Sequence, residues 1–292
     1  MSRPPCVVNA ADVAAEKRPR FTSPGPGIAS LVRRLGDSAG LRAMGVSLRE
    51  VEPGFAGTNR HFHLVEEEWT CVVSGRGAVR IGPLRLPVAA GDFVAFPPGP
   101  RPHHFVCEGD DPLLLLEGGE RRPTEDRGRY VDLGIAWEAG RLFETSEPLP
   151  PEEGDAAQLV HPRDLEVVDY THMVDPTARR RIRFLSSPTS LERQVVGLME
   201  VAPGDGSTAL HTHDRTDEWV FVLAGRARVR VGDDTFEARA HDFIAHPAGS
   251  PPHRMIALEP LTYLVGGQRD LDDVVLYPEA GLRLVRGRLD PI

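Results

Sequence analysis

Residues 61–69 read HFHLVEEEW and residues 211–219 read HTHDRTDEW. Most letters differ, but both histidines, the last glutamate and the tryptophan keep their places. Histidines at i and i+2 on a strand present both imidazoles to one face. Glu68 opens the following strand, and His103 stands at the start of a later one, after the run PPGPRP. His61, His63, Glu68 and His103 together offer three nitrogens and one oxygen; the second stretch offers His211, His213, Glu218 and His253. That donor set suits manganese, iron, nickel, cobalt or zinc, and disfavours calcium and magnesium. On a five- or six-coordinate ion it leaves one or two positions open, where substrate, water or dioxygen can bind.

The elements that must position these residues occur twice. With a shift of 150 (His61 to His211), VEPG at 51–54 meets VAPG, EWTCVVSGRG at 68–77 meets EWVFVLAGRA, GDFVAFPPG at 91–99 meets HDFIAHPAG, and PHHF at 102–105 meets PHRM. A gapless register that includes the turns is one supersecondary unit duplicated. Each unit reads as short strands: an alternating strand into a Pro-Gly turn, a hairpin through WTCVVSGRGAVRIG, a strand entered by Gly-Asp and stopped by proline, and a closing LLLLEGG or LTYLVGG. No amphipathic helix is expected within either unit; one helical turn is expected in IAWEAGRLF (135–143). The proline-rich acidic run TSEPLPPEEGDAAQ (145–158) is a linker candidate. The domain assignment is residues 1–150 with a core at about 40–120, and 151–292 with a core at about 190–268.

The spacing HxHx4Ex6G followed by PxGx3H resembles the two motifs of the cupin superfamily. The carriers are His61, His63, Glu68, Gly75, Pro97, Gly99 and His103 in the first unit, and His211, His213, Glu218, Gly225, Pro247, Gly249 and His253 in the second. Two such units resemble a bicupin, and DVVLYPEAG (273–281) resembles the end of a bacterial cupin group. The resemblance implies an all-β fold of two tandem jelly-roll-like β-barrels packed face to face, and is compatible with a homodimer. It implies one divalent transition metal (Mn, Fe, Ni, Co or Zn) per domain. It also implies metal-dependent oxidoreductase or lyase chemistry (dioxygenase, decarboxylase or isomerase) on a small organic acid or an aromatic diol. The alternative is a metal-assisted small-molecule binding or sensing protein without turnover. Two departures stand out: Cys107 and Ala257 replace the asparagine common after the last histidine, and His241 stands where the first unit has Gly91.

Around the ligands the two units differ. His246 replaces Phe96 just before the second motif's proline and is the candidate general acid or base, with a place at the inter-domain seam as the alternative. Glu66 and Glu67 are expected in a solvated turn, and Arg60 at an exposed strand edge. Trp69 and Trp219 should point away from the ligands and pack between sheets or subunits. Cys71 and Cys107 read as buried small apolar groups. Matching ligands with different neighbours suggest two sites with different duties.

Composition sets the bounds. The 292 residues carry a formal net charge of −9 with Lys17 as the only lysine, so neither nucleic acid nor an acidic membrane surface is an expected partner. The three cysteines, at 6, 71 and 107, fit no zinc ribbon or CxxC pair and read as reduced thiols. MSRPPCVVNA lacks an apolar signal core, and a cytoplasmic location is expected.

Overall fold

The computed structural model describes residues 3–17 and 27–292; residues 1–2 and 18–26, within the first domain assignment, lie outside the described residues. Each half builds a broad antiparallel sheet of the same plan. In the first, the strands run in the order Leu159–Val160, Phe93–Phe96, Glu68–Ser74, Leu113–Glu120, Met44–Val51, Ser30–Arg33 and Glu16–Lys17. In the second the order is Val7–Asn9, Asp242–His246, Glu218–Ala224, Leu261–Gln268, Gln194–Val201, Arg179–Phe184 and Val168–Thr171. A second layer closes each barrel. It is one seven-stranded sheet in the first half and a four- and a three-stranded sheet in the second, bridged by His211 and His253. No helix among the described residues is long and apolar enough to cross a membrane.

The first strand in each of these orders crosses between halves. Val7–Asn9, which precedes the first barrel, pairs with Asp242–Ile244 of the second. Leu159–Val160, which precedes the second barrel, pairs with Phe93–Val94 of the first.

Strand alternation makes three cores. One face of each broad sheet fills its own barrel: Val51, Val72, Val79 and Leu115 in the first, Val201, Val222, Val229 and Tyr263 in the second. The opposite faces meet in a single shared core containing Met44, Leu48, Trp69 and Phe93 with Val196, Trp219, Phe221 and Phe243. Trp69 and Trp219 stack there at 5.0 Å and 16°, both fully buried, which places their packing between the two sheets of this chain. Such a pair contributes about 1 kcal/mol beyond the area it buries. It needs bare backbone opposite: a Cβ on Gly118 or Gly266 would come within 2.3 or 2.4 Å of the facing indole.

Glu67 and Asp217 are not solvated. Glu67, 1% exposed, accepts from the backbone N–H groups of Glu192 (2.8 Å) and Arg193 (3.0 Å) in the other half. Asp217, 3% exposed, accepts from Arg42 and Ala43, both at 2.9 Å. The two contacts are related by the same shift of 150 (42 to 192, 67 to 217), so each domain clasps the other. Both carboxylates directly precede the ligand glutamates. The clasp therefore fixes the ends of the strands that carry Glu68 and Glu218. Glu66 is also engaged, accepting from the Arg122 N–H at 2.5 Å.

Two other expectations give way. IAWEAGRLF is a hairpin of Ile135–Glu138 and Arg141–Glu144, turned by Ala139 (φ 47°) and Gly140 (φ 75°). Two consecutive left-handed residues make the tight hairpin turn that strand twist favours, and they cannot continue a helix. Arg60 is 9% exposed and pairs with Asp132 (3.0 Å) and Glu152 (2.9 Å), because the run at 145–155 folds back over it.

Candidate metal centres

In the first domain, His61–His63 is a short strand, Glu68 opens the next, and His103 opens His103–Cys107, paired directly with His61. Glu68 alternates with Trp69, so when the indole faces the seam the carboxylate faces the barrel. Glu68 Oε2 lies 3.8 Å from His61 Nε2, 3.4 Å from His63 Nε2 and 3.1 Å from His103 Nε2. In the second domain Glu218 Oε2 lies 3.3 Å from the Nε2 atoms of His211, His213 and His253 alike. All eight residues anticipated from the sequence thus converge in two sets of four.

These sets fit a metal ion. Two donors at right angles on an ion, each about 2.1 Å from it, stand about 3 Å apart, close to the spacings found here. Five of the six outer ring nitrogens are held so that Nε2 faces inward; His253 Nδ1 is buried without a partner among the described residues. His61 and His103 Nδ1 meet the carbonyls of Asn59 (2.8 Å) and Arg101 (3.1 Å), and His211 Nδ1 meets that of Ala209 (3.0 Å). His63 Nδ1 pairs with Asp126 at 2.7 Å and His213 Nδ1 with Asp273 at 2.6 Å. A carboxylate behind a histidine fixes its tautomer and raises its donor strength.

The charges follow from crowding. Burial, then the neighbouring His103 imidazole, pushes His61 down to about 3, so it is neutral. Burial works against the charged form of His63, but Glu68 and Asp126 win and raise it to about 9. His213 rises to about 10 in the same way, with Asp273 and Glu218 outweighing burial. Glu68 and Glu218 both lie far below the usual carboxylate range; burial alone would raise them, and the three surrounding imidazoles more than offset it. Each set therefore holds a carboxylate beside a charged imidazole, and His63 and His213 would each give up a proton on binding an ion.

Asp126 and Asp273 escaped the sequence reading. A signal was present: DRGRYVDLG (126–134) and DVVLYPEAG (273–281) share Asp, Tyr four residues on and Gly eight on. The shift between them is 147 (126 to 273) rather than 150, which hides the match from a gapless comparison. Trp137, also missed, donates to Asp126 at 2.7 Å and packs 4.9 Å from the His63 ring.

His246 lies on the cavity side of its strand, not at the seam. It pairs with Glu218 across the sheet, is 2% exposed, and stacks flat on His253 with ring centroids 3.4 Å apart. Phe96 stacks on His103 in the same way at 3.8 Å. Burial, then the adjacent His253, holds the His246 imidazole neutral, and its Nδ1 has no partner among the described residues. The cavities over the two sets differ: about 540 Å³ in the second domain and about 200 Å³ in the first.

A duplicated barrel with three imidazoles and one carboxylate aimed into each copy defines a two-domain metal-site protein of the jelly-roll kind. Residues 47–118 and 197–266 both match the cupin domain, and the chain belongs to that family as a bicupin. Its fold is similar to oxalate decarboxylase from Bacillus subtilis (17% identity, 90% of this chain and 76% of that one, TM-score 0.60). It is similar also to the Lactobacillus farciminis oxalate decarboxylase–formate complex (14%, 95% and 90%, TM-score 0.63) and to YlbA from E. coli (13%, 90% and 91%, TM-score 0.62). Identities at this level speak for the fold alone. No curated protein matches the chain.

Proposed function

We propose that the protein is a metal-dependent enzyme that holds one divalent transition-metal ion per domain and turns over a small organic acid in the second domain. The observation that carries this reading is Glu218 Oε2 at 3.3 Å from three imidazole nitrogens, lining a cavity of about 540 Å³. When bound, such an ion supplies Lewis-acid polarisation of a coordinated substrate oxygen. Among the fold's neighbours, the Bacillus subtilis oxalate decarboxylase has Mn(II) centres, which makes manganese the first ion to try. His211, His213, Glu218 and His253 are the proposed ligands, with Asp273 holding His213 in its tautomer. His246 is the proposed acid/base residue: a neutral imidazole in the same cavity can accept a proton. The open reaction classes are dioxygenation, decarboxylation and isomerisation.

The first domain supports a second reading, metal binding without turnover. His61, His63, Glu68 and His103 are its proposed ligands, but Phe96 stands where the second domain has His246, and its cavity is less than half as large. Elemental analysis of protein grown with supplemented metals and purified without chelator tests both readings. About two ions per chain are expected, falling to about one in His61→Ala and in His211→Ala. No bound ion, and no uptake on titration with manganese, iron, nickel, cobalt or zinc, would sink the enzyme reading.

A further inference from the structure

Arg180, on the strand Arg179–Phe184, lines the second cavity. The first domain solves the same place differently. The pairings Val32↔Arg49 and Ile182↔Met199 make Met199 the counterpart of Arg49 and, two residues along the neighbouring strand, Arg180 that of Ser30. The pairings Leu113↔Val51 and Leu261↔Val201 make Val265 the counterpart of Glu117. In the first domain Arg49 donates to the Gly57 carbonyl at 3.0 Å and is neutralised by Glu117 at 2.6 Å. In the second the guanidinium arrives from the adjacent strand, and Arg180 donates to the carbonyl of Ser207, the residue equivalent to Gly57. Its carboxylate partner is gone, because Val265 replaces Glu117.

Among the described residues no carboxylate pairs with Arg180; the neighbouring guanidinium of Arg254 has Asp175 at 3.5 Å. Arg180 Nε is buried without a hydrogen-bond partner, and its Cζ lies 4.6 Å over the Tyr170 ring. A guanidinium does not shed its proton, so the charge persists in the cavity.

We propose that the second cavity binds a monocarboxylate with an apolar, ring-sized body, its carboxylate on Arg180 and its other end toward the His211–His213–Glu218–His253 set. The inference rests on the reading of this cavity as the substrate site. Of the three guanidinium groups that line the cavity, Arg254 is paired with Asp175 and Arg269 belongs to an exposed residue; Arg180, half-buried and unpaired, is the one that calls for a negative charge. Replacing an Arg49–Glu117 ion pair by Met199 and Val265 turns that wall apolar, and Tyr170 and Tyr277 add ring faces. The volume lies within the roughly 300–1,000 Å³ of small-molecule sites, while that of the first domain falls below it.

Calorimetric titration of the metal-loaded chain with phenylacetate, phenylacetamide and oxalate tests this, with metal content measured on the same samples. Phenylacetate should bind roughly tenfold or more tightly than its amide and than oxalate. Arg180→Met should abolish that preference at unchanged metal content, and Arg180→Lys should keep part of it. Val265→Glu, which restores the first domain's counter-charge, should weaken phenylacetate binding with the guanidinium intact; with Arg180→Lys it carries the test should Arg180→Met not fold. Arg49→Met should leave the preference unchanged. Equal affinity for acid and amide in metal-loaded wild type overturns the inference and leaves the metal-dependent reading standing. So does a preference undiminished in Arg180→Lys and Val265→Glu, or one lost equally in Arg49→Met. A chain that takes up no metal overturns that reading instead, and the acid–amide comparison then judges the Arg180 site by itself.

Discussion

In the first domain Phe96 lies flat on His103; in the second His246 lies flat on His253. In the first an Arg49–Glu117 ion pair occupies the barrel wall; in the second Met199 and Val265 leave it apolar and Arg180 unneutralised. The inward-facing donors, by contrast, correspond residue for residue, as does the aspartate behind the second histidine. The donor set and the walls therefore answer to separate constraints. Each ligand carboxylate lies within 3.8 Å of three imidazole nitrogens and the four donor types are the same in both copies, whereas the wall residues at matched positions differ.

The comparison is broken most directly by activity. Once a substrate is identified, His211→Ala should reduce turnover to background while His61→Ala retains much of it; equal losses would mean that both sites catalyse or that the first supports the second. Next in size, Asp273→Ala should weaken metal binding in the second site by about 10–100-fold and Asp126→Ala that in the first, read by competition with a chelator. Metal affinity unchanged in either would show that the histidine needs no carboxylate to hold its tautomer.

The clasp offers a sharper symmetry test. Glu67→Ala and Asp217→Ala each deprive backbone N–H groups of the other domain of a buried, charged acceptor, at about 2 kcal/mol by denaturant unfolding. Similar losses would confirm a symmetric clasp; a null result for one would show that domain to be held by its core alone. The smallest effect concerns the stacked indoles. Trp69 donates to Gln194 at 3.0 Å, but the counterpart of Gln194 is Met44, and the Trp219 N–H is buried without a partner. Met44→Gln should stabilise the chain by about 1 kcal/mol, seen as a higher denaturant midpoint; no gain would show that a glutamine cannot reach that indole.

The eight donors were legible because their spacing is set by strand geometry and repeats at one shift. Asp126 and Asp273 were not, since the shift falls from 150 to 147 before they are reached. Glu67 looked solvated because a charged triplet in a turn is ordinarily so; its burial depends on a second domain brought up by the pseudo-twofold, which no local pattern announces. Arg180 sits in RRRIRF, a run whose alternate arginines face solvent, and only the strand register separates the one that turns inward.

The crossed strands make each half depend on the other for a complete sheet. A chain severed at 150/151 would give one fragment holding Val7–Asn9, which belongs on its partner's sheet, and another holding Leu159–Val160, which belongs on the first. Each piece would expose an unpaired sheet edge shaped for the other, so the severed halves should reassemble when mixed. Through that exchange neither half of the duplication carries all the strands of its own sheet.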